Sequence, residues 1–360
     1  MYEDHSIGVV VPAYNEAGLI GDVIRDMPEF VDRIYFVDDA SQDDTWDEAL
    51  SAARERPDRP EGFGTRRRGA AVSDGGTWRS EGRVDGLRGR GRLHERVGKL
   101  VPIRHHENMG AGGAIKTGYL TARSDDIDIT VTMDGDGQMD PAQMSKLLDP
   151  IVSGDADYTK GNRLLYQEYR KEMPPFRFFG NSILTFLTKV ASGYWKTMDP
   201  QNGYTAISKY ALSNIGVEAM YEYYGYCNNV LVRLNAKGMR VADVAMPAKY
   251  GDEESSINYV RYIRKVSGML LGSFLWRLKV KYLVLDFHPL ALFYIFGAFT
   301  AAVGVFGKSW AFYGNLATGE ELFVRLSLSL LLFAVGSMCV MFAMLFDMQV
   351  NEDREIQIHD

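Results

Sequence analysis

The 360-residue chain has little cysteine and no excess of positive charge. Cys227 and Cys339 lie far apart in different contexts, which excludes a disulfide-stapled secreted scaffold and suits a reducing compartment. Forty Lys and Arg stand against 47 Asp and Glu, a net charge of −7. A general nucleic-acid binder carries a basic footprint, so no nucleic-acid partner is expected. The start, MYEDHS, is acidic and polar, and the first apolar run behind it is only strand length, so no cleavable signal peptide is expected. The six histidines form no metal-ligand spacing, and His105-His106 reads as a strand-end accident.

Long apolar runs occur only near the C-terminal end. Leu290 to Gly307 holds 18 residues without a charge, and Leu326 to Phe346 holds 21. At 1.5 Å per residue they reach about 27 and 32 Å, against a hydrocarbon core of about 30 Å. Residues 288–347 are therefore expected to form two transmembrane helices. Arg261, Arg264, Lys265, Arg277, Lys279 and Lys281 precede the first run, whereas the hairpin between the runs holds only Lys308 and Arg325 as cations. This imbalance predicts a multi-pass cell-membrane protein with its large N-terminal domain and both termini in the cytoplasm. Between residues 257 and 287 those cations alternate with Met269, Leu270, Leu271, Phe274, Leu275 and Trp276, the pattern of a basic amphipathic helix on membrane lipid. Phe176 to Tyr194 reads equally as a second such helix or as a core helix. Residues 348–360 read as a polar tail, and a two-span anchor sets no oligomeric state.

Short apolar runs alternate with helical patterns over the first 165 residues, which predicts an α/β domain, residues 1–256, with a largely parallel sheet. Strands are expected at Ile7 to Val11, Ile34 to Val37, Leu100 to Ile103, Ile129 to Met133 and Tyr158 to Gly161. Helices are expected at Glu16 to Met27, Asp44 to Arg54, Gly113 to Ala122 and Ala142 to Val152. Asn15 is placed to cap the first, and Asp140-Pro141 marks the start of the last. Residues 57–98 are crowded with Arg and Gly and have few apolar side chains, so they read as a disordered insertion.

The strand Ile129 to Met133 runs into Asp134-Gly135-Asp136-Gly137-Gln138, placing two carboxylates at a strand's carboxyl end, where open α/β sheets bind ligands. Such a pair suits Mg²⁺ or Mn²⁺, which complete their shell with water and diphosphate oxygens, although D-x-D alone is common by chance. Two further strand ends reach that edge: Pro12-Ala13-Tyr14-Asn15-Glu16 and Asp38-Asp39-Ala40-Ser41. They offer a ring and carboxylates to a base and ribose, while Asn15 and Ser41 read equally as helix caps.

PAYNE, VDDAS, the run NMGAGGAIK (108–116) and DGDGQ, in this order, resemble the family 2 glycosyltransferases of the GT-A fold, above all dolichol-phosphate mannose synthase and related polyprenyl-phosphate sugar transferases. The resemblance implies a GT-A type mostly parallel sheet flanked by helices, followed by interfacial helices and a C-terminal two-helix transmembrane hairpin. It assigns a nucleotide-sugar site to Pro12, Ala13, Tyr14, Glu16, Asp38, Asp39, Lys116, Asp134 and Gln138, and a metal and diphosphate site to Asp134, Asp136 and Gln138. Gly161-Asn162-Arg163 is similar to the family's G-S-R element, and Asp199-Pro200-Gln201-Asn202-Gly203-Tyr204 to its D-x-x-S-G-[FY] stretch, with Asn202 where serine is usual. Asp136, Arg163 and Asp199 are thus the implied catalytic residues. Tyr250 to Ile257 matches the Y-x-x-R-x-x-G-x-S-K segment only loosely; Arg163, Arg177 and Arg261 are then the candidate cations for an acceptor phosphate.

Loss of a diphosphate leaving group needs its charge neutralised, and an alcohol acceptor needs a general base, for which Asp199 is the candidate. A lipid phosphate is already largely anionic at neutral pH and needs positioning more than a base. The Q-x-x-R-W element of processive synthases is absent. The expectation is a single inverting hexose transfer from a GDP- or UDP-sugar to dolichyl or polyprenyl phosphate, supplying lipid-linked sugar for protein glycosylation or cell-surface glycans. A transferase extending a lipid-linked saccharide and a non-catalytic nucleotide-sugar-binding membrane protein are the alternatives.

Overall fold

The computed structural model describes residues 1–56, 89–165, 175–246, 259–319 and 321–358. Nine strands form one sheet: β1 (Ile7–Ala13), β2 (Arg33–Asp38), β3 (Gly91–Leu93), β4 (Leu100–His105), β5 (Ile129–Thr132), β6 (Tyr158–Asn162), β7 (Thr205–Ser208), β8 (Val241–Ala245) and β9 (Glu355–Ile358). Their order is β3-β4-β2-β1-β5-β7-β6-β8-β9. The β4-β2-β1-β5 and β6-β8-β9 pairings are parallel, while β3 and β7 run antiparallel to their neighbours.

The first strand shows why the sheet lies inside. All seven residues of Ile7–Ala13 are buried, as a strand covered on both faces requires. Because side chains alternate, Val9 and Val11 join one apolar cluster with Ile20, Ile24, Phe36, Leu147 and Leu148. Val10 joins the opposite one with Tyr35, Ile115, Tyr119, Val230 and Leu234. Helices α1 (Ile20–Arg25), α2 (Thr45–Glu55) and α4 (Met144–Val152) cover the first face. Helices α3 (Ala111–Ser124), α6 (Lys209–Asn214) and α7 (Tyr226–Ala236) cover the second. Asp140 accepts the Ala142 amide ahead of α4, with Pro141 following, as expected.

Three expectations are corrected. First, α1 begins at Ile20 with no side-chain cap. Asn15 instead accepts the Gln42 amide at 2.9 Å and joins two loops. Second, residues 89–98, assigned to the insertion, are structured: β3 pairs with β4, and Arg90 reaches Gly113, Thr117 and Glu222. The rest of the insertion, 57–88, lies outside the described residues. Third, residues 355–358 are not a tail but β9, parallel to β8 in the register Val241↔Glu355.

Helix α5 (Pro175–Ser192) and helix α8 (Tyr259–Lys279) pack together with α7 around Leu184, Val232, Val266 and Leu270. Helices α9 (Leu290–Thr318) and α10 (Leu322–Asn351) are each long and apolar enough to cross a membrane. They extend beyond the expected 290–307 and 326–346. An added Cβ at Gly297 would lie 2.8 Å from the Gly336 carbonyl, so small residues bring the two backbones together. Their outer faces carry exposed Phe296, Phe299, Phe306, Leu331 and Met341.

Of the six cations ahead of the hairpin, the five whose side chains are described do not act alike. Arg264, Lys265 and Lys279 are exposed beside Leu271, Leu275 and Trp276. Arg277, counted among the cations of the basic amphipathic segment, is wholly buried against Asp347 of α10, with contacts of 2.7 and 3.0 Å. Tyr282 donates to Asp347 at 2.6 Å, and Lys281 donates to Asn235 of α7 at 2.7 Å. Asn235 in turn donates to Asn351 at 2.9 Å. An ion taken from water needs a partner and further hydrogen bonds, and this network supplies both.

Candidate active site

Strands β1, β2 and β5 are parallel and adjacent, so their carboxyl ends share one edge. Beyond β1, Asn15 has a left-handed φ of 57°, a conformation a short polar side chain tolerates by bonding locally. Its amide donates to Ser41 Oγ at 3.0 Å, and the Glu16 amide donates to Thr45 Oγ1 at 2.8 Å. Pro12 and Ala13 line the base of this edge, and Tyr14 stands exposed at its rim. Ser41, like Asn15, holds loop to loop and caps no helix.

Asp38 and Asp39 are buried beneath that rim. Asp38 accepts the Ser41 amide and pairs with Arg104, both at 3.0 Å. Asp39 accepts the Met109 and Gly110 amides at 2.8 and 2.7 Å and lies 2.6 Å from His105 Nδ1. His105 Nε2 lies 2.9 Å from Thr117 Oγ1, so this histidine bridges β2 to α3 and is no accident. Together they shape the Asn108–Gly110 turn that opens α3, where Gly110 has φ 77°. Lys116, one turn into α3, is buried with Nζ 2.7 Å from Glu222 Oε1, and Arg90 reaches the same carboxylate at 2.8 Å. Burial alone would raise the Glu222 carboxyl, but these two cations outweigh it and pull it down to about 2.

Asp134 lies two residues beyond the end of β5. Poor solvation, then the neighbouring charge of Asp136, push its carboxyl up to about 7, against the opposing pull of Arg163. The Gln138 amide donates to Asp136 Oδ1 at 3.0 Å and closes the turn. An added Cβ at Gly203 would sit 3.1 Å from Asp134 Oδ2 and 3.3 Å from Tyr226 Oη, so the lack of a side chain lets the 199–204 loop lie on the D-x-D turn. Asn202, at the usual serine position, accepts the Tyr204 amide at 3.0 Å.

Among the described residues no group of three or more His, Cys, Asp or Glu is arranged as metal ligands. The pair Asp134 and Asp136 nonetheless fits a cation that takes one or two carboxylates and fills its shell with substrate phosphate and water. Crowded negative charge with little solvent is what a divalent ion would relieve.

Across the edge, β6 ends in Asn162-Arg163. Arg163 donates to Asp199 through Nε at 2.7 Å and through its terminal NH2 at 2.9 Å, a two-pronged contact that fixes the guanidinium plane. Burial would raise the Asp199 carboxyl, yet Arg163 and then Lys160 hold it below the ordinary range. A carboxylate so held is a poor proton acceptor, so the geometry favours Asp199 as the orienter of Arg163 over the expected general base. Asp199 itself has a left-handed φ of 46°. Beneath it, Lys160 bonds the Met198 and Asp199 carbonyls and pairs with Asp243 at 3.1 Å. Lys160 and Asp243 face each other across β6 and β8; neither was singled out from sequence, although a lone charge inside a buried strand is a readable signal.

The expected residues Pro12, Tyr14, Asp38, Asp39, Asp134, Asp136, Gln138, Arg163 and Asp199 thus converge on one edge of the sheet. The side chains of Arg177 and Arg261, and all of 247–258, lie outside the described residues.

The family described as glycosyl transferase family 2 matches residues 8–73 and 90–216, more than half of the chain. The chain belongs to glycosyl transferase family 2. It is a glycosyltransferase of mixed α/β, GT-A type with two C-terminal apolar helices. Among curated relatives, it is 27% identical over 248 residues to the UDP-N-acetylglucosamine–dolichyl-phosphate N-acetylglucosaminyltransferase of Methanococcus voltae, covering 69% of this chain and 87% of that one. It is 25% identical over 187 residues to glycosyltransferase AglD of Haloferax volcanii, covering 50% of this chain and 28% of that one. Among solved structures, the glucosyl-3-phosphoglycerate synthase of Mycobacterium tuberculosis matches with a TM-score of 0.48 and 16% identity, over 76% of this chain and 81% of that one.

Proposed function

We propose that this glycosyltransferase moves one hexose, with inversion, from a GDP- or UDP-sugar to dolichyl or polyprenyl phosphate at the cytoplasmic face of a membrane. The Methanococcus voltae relative, whose name states a UDP-N-acetylglucosamine donor and a dolichyl-phosphate acceptor, supports this acceptor class and makes UDP-N-acetylglucosamine the first donor to test. Supplying lipid-linked sugar for protein glycosylation or cell-surface glycans follows from the product.

The observation that carries the acceptor reading is the commitment of Asp199 to Arg163. A hydroxyl acceptor needs a base to take its proton. A phosphate monoester arrives with its second ionisation near pH 6 already largely complete. An oriented guanidinium is then sufficient to hold the attacking oxygen against the anomeric carbon. Arg163 fills that role here, and Arg177 and Arg261 are the further cations proposed for the acceptor phosphate.

On the donor side, Tyr14, Pro12, Ala13 and Glu16 are the proposed walls of the nucleotide site. Asp38, Asp39 and Lys116 shape it from beneath through Arg104, His105 and Glu222. Asp134, Asp136 and Gln138 would hold Mg²⁺ or Mn²⁺, which supplies positive charge to the departing diphosphate. The proposed membrane contact uses α9 and α10 as spans and the exposed Leu271, Leu275, Trp276, Leu283, Val284 and Phe287 as an interfacial face, with the sheet domain and β9 in the cytoplasm.

The test is transfer of labelled sugar from a panel of UDP- and GDP-sugars, with Mg²⁺ or Mn²⁺, in membranes supplied with dolichyl phosphate. A chloroform-soluble product labile to mild acid is expected. Label appearing only in longer lipid-linked saccharides would replace this reading with an elongation step.

A further inference from the structure

We infer that Glu355, on the strand that follows the second apolar helix, is a positioning residue for the Arg163–Asp199 side of the site. Its carboxylate accepts three consecutive backbone amides: Trp195 at 2.6 Å, Lys196 at 2.7 Å and Thr197 at 2.8 Å. The next amide in the row, Met198, donates to Asp243 at 2.7 Å. Asp199, which grips Arg163, comes immediately after. Every amide from 195 to 198 is therefore held from the β6-β8-β9 end of the sheet.

Only a carboxylate does this well. Three N–H groups converging on one side chain require acceptors on both oxygens, and charge assistance strengthens each bond. Glutamine keeps one acceptor and turns an NH2 toward amides that themselves donate. The contact is buried, so losing it leaves several donors without partners. The clamp also explains how Asp199 keeps a left-handed φ of 46°, because such a conformation persists only where its surroundings over-determine it.

The same carboxylate sits directly behind the hairpin. Helix α10 ends at Asn351, and only Glu352–Arg354 separate it from β9. Asn351 and Asp347 are bonded to Tyr282, and Asn351 also to Asn235 and Lys281. Gly193, with φ 77°, lies against the Arg277 guanidinium. The loop that presents Asp199 is thus held between the ion pair at the base of the hairpin and the strand the hairpin returns to the sheet. The acceptor side is complete only when the chain has passed through the hairpin and come back.

This inference rests on the reading that Arg163 and Asp199 act on the acceptor. Its test uses the full chain in lipid nanodiscs, with Glu355→Gln, Glu355→Ala and the exposed neighbour Glu352→Gln as a charge-matched control. Hydrogen exchange should quicken at 195–199 in both Glu355 variants and nowhere else, and remain as wild type in Glu352→Gln. Transfer to polyprenyl phosphate should fall at least about tenfold in kcat/KM for the lipid, with donor KM changed by less than about twofold. Glu355→Gln should lose less than Glu355→Ala. Unchanged exchange at 195–199, unchanged transfer by both Glu355 variants, or an equal loss in Glu352→Gln overturns the clamp. If the wild-type chain gives no transfer to polyprenyl phosphate, the acceptor reading fails by itself and the exchange experiment alone decides the clamp.

Discussion

The β1-β2-β5 side and the β6-β8-β9 side of the sheet both hold charged groups, but they draw on different parts of the chain. In the first, Asn15 meets Ser41 across 26 residues, and Lys116 and Arg90 meet Glu222 across 106 and 132, with every partner ahead of the hairpin. In the second, Glu355 meets Trp195 across 160 residues, and Arg277 meets Asp347 across 70. The first set joins residues that all precede α9. The second closes only after the long hairpin has turned back. The first edge is therefore the self-contained half, and the second depends on what lies at the membrane.

That contrast breaks most sharply at the D-x-D turn. Asp136→Ala should lower transfer by about a thousandfold or more, because no other described carboxylate completes the pair with Asp134. Membrane insertion should be intact by alkaline extraction, and full metal-dependent activity would remove Asp136 from the metal site. Next in size, Arg277→Ala leaves Asp347 buried without its partner and should cost about 3–5 kcal/mol in unfolding of the detergent-solubilised chain. A paired Arg277→Met and Asp347→Leu change should recover most of it; equal damage from both designs would mean that the ion pair does not set stability. Arg163→Lys replaces a planar fork by a point charge and should raise KM for the lipid acceptor about 10- to 100-fold with little change in donor KM.

A smaller effect sharpens the first edge. The Glu222 carboxyl is held near 2, below its ordinary value, so its stabilisation is present above about pH 4.5 and is lost as pH falls toward 2. Arg90→Ala should move that loss to higher pH, and an unchanged acid limb in thermal scans would show that Arg90 and Glu222 are uncoupled. Last, Ala40 has a left-handed φ of 64°, strained for any residue with a Cβ. Ala40→Gly should be neutral or stabilise by up to about 1 kcal/mol, and a clear loss of melting temperature would show that its methyl packs usefully.

Much of the first edge was legible in the chain. The strand cores β1, β2, β4, β5 and β6 carry dense apolar runs, and their polar ends fall where ligands bind in such sheets. What misled was local chemistry with two readings. Asn15 is as good a cap as a loop clasp, and only the position of Ser41 and Gln42 decides between them. Arg277 sits in a basic amphipathic pattern, and only Asp347 on the facing helix makes it a core residue. Glu355 sits in a short polar stretch that by composition resembles a tail, yet its strand pairs with β8.

Sequence by itself determined the α/β class, the order of the site motifs, the D-x-D edge and the two apolar helices, because periodicity and strand-end chemistry are properties of neighbouring residues. Tertiary structure alone decided that Asp199 serves Arg163, that His105 and Glu222 brace the turn before α3, and that the last strand closes the sheet. Those outcomes depend on pairs of charges and donors far apart in the chain. A buried charge gains stability only from the partner that folding brings to it.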